Sequence, residues 1–195
     1  FSEFMTYRTP IFIQAGSSKN AQRIEDLLFR WNSYGQILQN QTNNKVQKLI
    51  VFMPLPKEVL HLDQYRNLEI NFFRDSAFGR LRLFFGILWR IRLLPKKLTT
   101  LIAGDNYISP NICWAVKSLY PTSTRIQIQF HGATYQKKSN GVLDTLKYLS
   151  VRVSIFFSHS IRIVSGFQQY EIEKLTASRK KDFVVSPIPI DRKST

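Results

Sequence analysis

Residues 10–20 read PIFIQAGSSKN. An apolar run, then a glycine turn, then an asparagine able to cap a helix is the order in which a strand hands over to a helix. Ile24, Leu27, Leu28 and Trp31 then recur at helical spacing, so the chain is expected to open as strand, turn, helix. The same succession repeats downstream. The asparagine-rich stretch Gln39–Lys45 reads as a loop ahead of a strand at Leu49–Pro54 (LIVFMP), and a third strand at Leu68–Phe73 (LEINFF) leads into a long helix over Ala77–Leu94. Leu98–Gly104 (LTTLIAG) precedes a helix over Pro110–Leu119, Arg125–Gly132 (RIQIQFHG) one over Gly141–Phe157, and Ser160–Ser165 (SIRIVS) one over Gly166–Thr176. A closing strand starts at Phe183 and is turned out of its sheet by Pro187 and Pro189, which lack the amide a ladder needs. Strands and helices taking turns, with no internal repeat, predict an α/β, Rossmann-like domain: a mostly parallel sheet with helices on both faces.

The 195 residues, 44% of them apolar, suffice for one substantial core. Lys and Arg number 28 against 13 Asp and Glu, and the resulting formal charge of +15 favours an anionic partner: a phosphorylated ligand, an acidic lipid or nucleic acid. The only cysteine, Cys113, excludes an intrachain disulfide framework and fits a reducing compartment. Met5 reads as the natural first residue, with residues 1–4 an expression remnant, and the start lacks the basic-then-apolar order of a secretory signal. The longest apolar run, Leu83–Trp89, falls far short of the roughly 20 residues of a spanning helix.

Familiar motifs are excluded in turn. AGSSKN (15–20) is neither a dinucleotide fingerprint nor a P-loop, and no G-x-S-x-G elbow occurs. His61, His131 and His159 lie on separate elements, so no metal site is expected. In a doubly wound sheet ligands gather beyond the carboxyl ends of strands, which singles out Gly16–Lys19, Asp105–Tyr107, His131–Tyr135 and Ser165–Phe167. Gly16 is either an approach point for a phosphate at a helix amino end or an ordinary tight turn; Asp105, Asn106 and Tyr135 are either ligand contacts or caps and turn formers.

At FHGATY (130–135), SHSIRIVSGFQQYEIEKL (158–175) and FVVSPIPID (183–191) the chain resembles the amino-terminal domain of family-4-type glycosyltransferases of the GT-B fold. There a strand ends in His-Gly or His-Asp, a later apolar strand ends in Ser before a helix, and a last strand leads into Pro-x-Pro-x-Asp, the crossing to a second Rossmann-like domain. The resemblance implies that residues 5–186 are the acceptor-side domain and 187–195 the start of the linker. It also implies that the donor-binding carboxy-terminal domain is absent, since no two glutamates here are eight positions apart as its E-x7-E motif requires. The implied reaction moves a sugar from a nucleoside diphosphate sugar to a glycan or lipid-linked acceptor, with retention and with no metal or other cofactor, in cell-surface polysaccharide or glycolipid assembly; the fragment alone is expected to be inactive. By resemblance His131 is the catalytic-site residue facing the donor sugar, Gly16 and Ser17 lie by the donor phosphates, and Asp105, Asn106 and Tyr135 contact the acceptor. Where Ser17 stands, the family often has a second glycine.

The stretch RLRLFFGILWRIRLLPKK (80–97) is the most unusual. At about 100° per residue, Leu83, Phe84, Ile87, Leu88, Ile91 and Leu94 gather on a core face. Phe85, Trp89 and Leu93 lie opposite, among Arg82, Arg90 and Arg92 and with Lys96 and Lys97 just beyond. An outward face both aromatic and cationic suits docking on an anionic bilayer, which would place the protein in the cytoplasm on the inner face of the membrane; the other reading is a helix buried on two sides, with the arginines as solvated edges or salt-bridge partners. The alternatives are a nucleic-acid-binding module, for which no recognition motif is present, and a noncatalytic membrane- or sugar-binding domain.

Overall fold

The computed structural model describes residues 8–15, 21–41, 48–55, 62–94, 98–105, 107–130, 141–163, 165–176 and 181–185. Among the described residues, seven strands, β1 (Thr9–Ile13), β2 (Leu49–Pro54), β3 (Leu68–Phe73), β4 (Thr99–Ala103), β5 (Thr124–Gln129), β6 (Ser160–Ile163) and β7 (Asp182–Val185), are interspersed with five helices. The helices are α1 (Ala21–Gln41), α2 (Ala77–Leu93), α3 (Ile108–Leu119), α4 (Val142–Phe157) and α5 (Gly166–Thr176), and a 3-10 turn covers Leu62–Gln64. The strands form one sheet in the order β3-β2-β1-β4-β5-β6-β7, and each described pairing is parallel. The expected fold class is therefore the observed one.

Each apolar pattern finds its layer. One core unites Ile11, Ile13, Leu101, Ala103, Ile126 and Ile128 of the sheet with Leu83, Ile87 and Ile91 of α2 and with buried residues of α3, α4 and α5. On the opposite face Ile24, Leu28 and Trp31 of α1 meet Phe12, Val51 and Met53, with the rings of Phe12 and Trp31 4.3 Å apart. One helix thus covers the β1–β3 half of one face, and four cover the other.

Two of the boundaries that differ from expectation do so for identifiable reasons. Gln39–Gln41, expected to belong to a loop, form the last turn of α1, because glutamine is a good helix former and the asparagine run begins only afterwards. Helix α3 begins at Ile108, ahead of Pro110, since a proline in the first turn gives up an amide that has no intrahelical partner anyway. Pro187 and Pro189 lie outside the described residues.

Candidate functional site

The order of the strands fixes where a crevice can open. From β1 the chain winds outward through β2 to β3; α2 then carries it back across to β4 on the other side of β1, so connections leave β1 and β4 in opposite directions. The gap beyond their carboxyl ends is the switch point at which open α/β sheets bind ligands.

Asp105 holds that point together. Its Oδ1 accepts the amides of Tyr107 at 3.0 Å, Ile108 at 2.7 Å and Ser109 at 3.1 Å, which occupies the free donors that open α3. Its Oδ2 accepts the Ala15 amide at 3.1 Å and the Ser109 hydroxyl, and Ser109 Oγ in turn accepts the same Ala15 amide at 2.8 Å. The exit of β1 is thereby tied to the amino end of α3. Gly104 makes the approach possible: a Cβ there would stand 2.4 Å from Gln14 Oε1 and 2.7 Å from Phe12 Cε1. Beneath lies Cys113, fully buried; burial, followed by the nearby Asp105, pushes its thiol pKa far above the ordinary range, so it is no nucleophile.

Of the residues singled out from the sequence, Asp105 is at a strand end as expected, with both oxygens serving as a cap and a tie. Ser109 was not foreseen. An Asp followed by a helix is a readable capping signal, but the partner Ala15 is 90 residues away from Asp105. Gly16, Ser17, Asn106, His131 and Tyr135 lie outside the described residues, which stop at Ala15 on leaving β1 and at the buried Phe130 on leaving β5. Ser165, after β6, caps α5 by accepting the Gln168 amide at 3.3 Å. Among the described residues no cluster of His, Cys, Asp or Glu is suited to hold a metal.

The outer face of α2 is as apolar as its sequence promised. Phe85, Trp89 and Leu93 are 58%, 64% and 56% exposed, Phe78 extends the row at 78%, and Arg82 and Arg92 are exposed beside them. Arg90, expected on this surface, is instead half-buried on the flank of the helix, where its guanidinium pairs with Glu69 of β3. One position beyond Trp89 turns the side chain by about 100°, from the outer face to the sheet edge. Lys96 and Lys97 lie outside the described residues, and no described helix is long and apolar enough to cross a membrane.

No protein-family model matches the chain, and no curated protein sequence does. Among solved structures it is similar to Arabidopsis thaliana UGT89C1 complexed with UDP-L-rhamnose, with a TM-score of 0.56 at 10% sequence identity. The likeness covers 96% of this chain and 51% of that one, so this chain spans about half the length of its structural neighbour. The fold is a Rossmann-like half of a GT-B architecture. At this identity the likeness is one of fold.

Proposed function

We propose that this domain is the acceptor-side lobe of a glycosyltransferase that moves a sugar from a nucleoside diphosphate sugar to a glycan or lipid-linked acceptor. The observation that carries this reading is the match of nearly the whole chain to half of a protein bound to UDP-L-rhamnose. The strand-end motifs FHG and SPIPID point the same way. Departure of a diphosphate needs charge stabilisation and two well-placed substrates, not a strong protein nucleophile. In this reading His131 faces the donor sugar, Gly16 and Ser17 approach its phosphates, and Asn106 and Tyr135 contact the acceptor. Asp105 serves from behind, fixing the β1 and β4 exits that carry these segments. The reaction retains configuration, and a second α/β lobe grips the nucleotide.

The test is donor consumption by the natural protein that contains these residues, assayed with a panel of nucleoside diphosphate sugars and a membrane lipid extract as acceptor. Label is expected in the extract, and His131→Ala is expected to lower kcat by roughly a hundredfold without altering the circular dichroism. Absence of donor turnover across the panel rejects the enzyme reading; wild-type kcat in the variant rejects the role of His131.

We further propose that α2 seats this lobe on an anionic bilayer, with Phe78, Phe85, Trp89 and Leu93 in the headgroup boundary and Arg82 and Arg92 on lipid phosphates. The triple change Phe85→Ser, Trp89→Ser, Leu93→Ser removes exposed side chains only, so folding should be preserved. Co-sedimentation with phosphatidylglycerol vesicles is expected to fall roughly tenfold or more. Equal binding to neutral vesicles, or a salt-sensitive shift with single-stranded oligonucleotides in place of vesicle binding, refutes the assignment.

A further inference from the structure

The rim of the sheet opposite the carboxyl ends of β1 and β4 holds a depression. It encloses about 480 Å³ where α3 and α4 end and β5, β6 and β7 begin. Lys117, Arg125, His159 and Lys181 line it against one carboxylate, Asp182. Arg8 stands close by, its guanidinium donating to Ser123 O at 2.5 Å and Thr99 O at 3.4 Å.

Hydrogen bonding around His159 leaves a mismatch. The Ile126 amide donates to Nδ1 at 3.2 Å, so the proton of a neutral ring resides on Nε2. Nε2 lies 3.2 Å from Lys117 Nζ, which already donates to Pro121 O at 3.1 Å and Thr124 O at 2.8 Å. A ring N–H and an ammonium N–H therefore confront each other, two donors with no acceptor between them. Placing the ring proton on Nδ1 only moves the conflict to the Ile126 amide. Arg125 adds an exposed guanidinium with no ion-pair partner among the described residues. Burial, then Lys117, Arg125, Lys181 and Arg8, lower the His159 pKa to about 4, and burial, then Arg8 and Arg125, lower that of Lys117.

One acceptor with negative charge resolves all of this. We propose that the depression binds a phosphate-type oxyanion, which accepts from His159 Nε2 and Lys117 Nζ and pairs with Arg125. An adjoining cavity of about 240 Å³ shares Phe156, Phe157 and Lys181 with it and is otherwise lined mainly by Val153, Ile155 and Leu175, so the ligand is a phosphate ester with an apolar substituent. The site stands apart from the sugar-transfer reading and does not depend on it.

Calorimetric titration of the chain with inorganic phosphate and with octyl phosphate below its micelle concentration, near neutral pH, tests the proposal. Saturable one-site binding is expected for both, with octyl phosphate tighter by roughly tenfold, and the His159 imidazole resonances should shift on addition of either. Arg125→Gln, a change at an exposed side chain, should weaken both by roughly tenfold. Arg30→Gln, at an exposed position of α1 on the other face of the sheet, should change neither. Absence of saturable phosphate binding, or binding that survives Arg125→Gln, overturns the site, and equal affinity for the two probes overturns its apolar half. Phosphatidic acid vesicles, offered to the Phe85→Ser, Trp89→Ser, Leu93→Ser chain so that α2 does not hold them, distinguish the sources: capture that Arg125→Gln abolishes points to a lipid headgroup, and octyl phosphate binding without capture points to a soluble ester.

Discussion

Asp105→Ala is expected to destabilise the domain by about 3 kcal/mol, more than loss of an ordinary helix cap. The carboxylate serves three amides at the start of α3, the Ala15 amide and the Ser109 hydroxyl. Ala15 and Ser109 are both fully buried, so donors released there do not gain water in exchange. Ser109 Oγ can keep the Ala15 amide, which limits the loss. Asp105→Asn should cost about half as much, because Oδ1 keeps its three amides while an NH2 in place of Oδ2 meets the Ala15 N–H donor to donor. Urea unfolding measures both, and hydrogen exchange at Ala15 and Gly104 should quicken in the alanine variant ahead of exchange in β2. A change in stability below about 0.5 kcal/mol would show that the tie between β1 and α3 has little weight.

Gly79 and Gly86, both in α2, should respond to alanine with opposite signs. A Cβ at Gly79 would stand 1.7 Å from Arg74 O, a backbone atom in the turn that enters the helix. That turn is held by Ser76 Oγ, which accepts the Gly79 amide at 3.0 Å, so relieving the overlap means shifting the turn and losing the cap. The expected cost of Gly79→Ala is about 3 kcal/mol or more. At Gly86 the nearest atom to a new Cβ is Phe52 Cε1 at 3.5 Å, an ordinary contact. There alanine should stabilise by roughly 0.5–1 kcal/mol, since glycine in a helix interior loses more backbone freedom on folding. Thermal unfolding of the two variants beside the parent chain decides the matter; a lowered Tm at Gly86 or an unchanged one at Gly79 contradicts the packing described.

Local pattern determined much of this protein. All seven strands and five helices were legible because alternation and helical recurrence are properties of a short window: LIVFMP and LEINFF became β2 and β3 over the residues expected, and Leu83, Ile87 and Ile91 became the buried row of α2. The aromatic outer row of the same helix was equally visible, since a side chain opposite a buried one on an isolated surface helix is exposed by geometry. What no window contains is a partner. That β1 lies between β2 and β4, that Asp105 reaches Ala15, that Arg90 turns to Glu69 and that Lys117, Arg125, His159 and Lys181 surround one depression are all consequences of packing segments distant in sequence. His159 shows the difference: in the sequence it is one of three scattered histidines, and only the pairing of β5 with β6 brings its ring against the Ile126 amide and the end of α3. Periodicity fixes which face a residue takes, whereas charge and hydrogen-bond complementarity depend on what the fold sets opposite it.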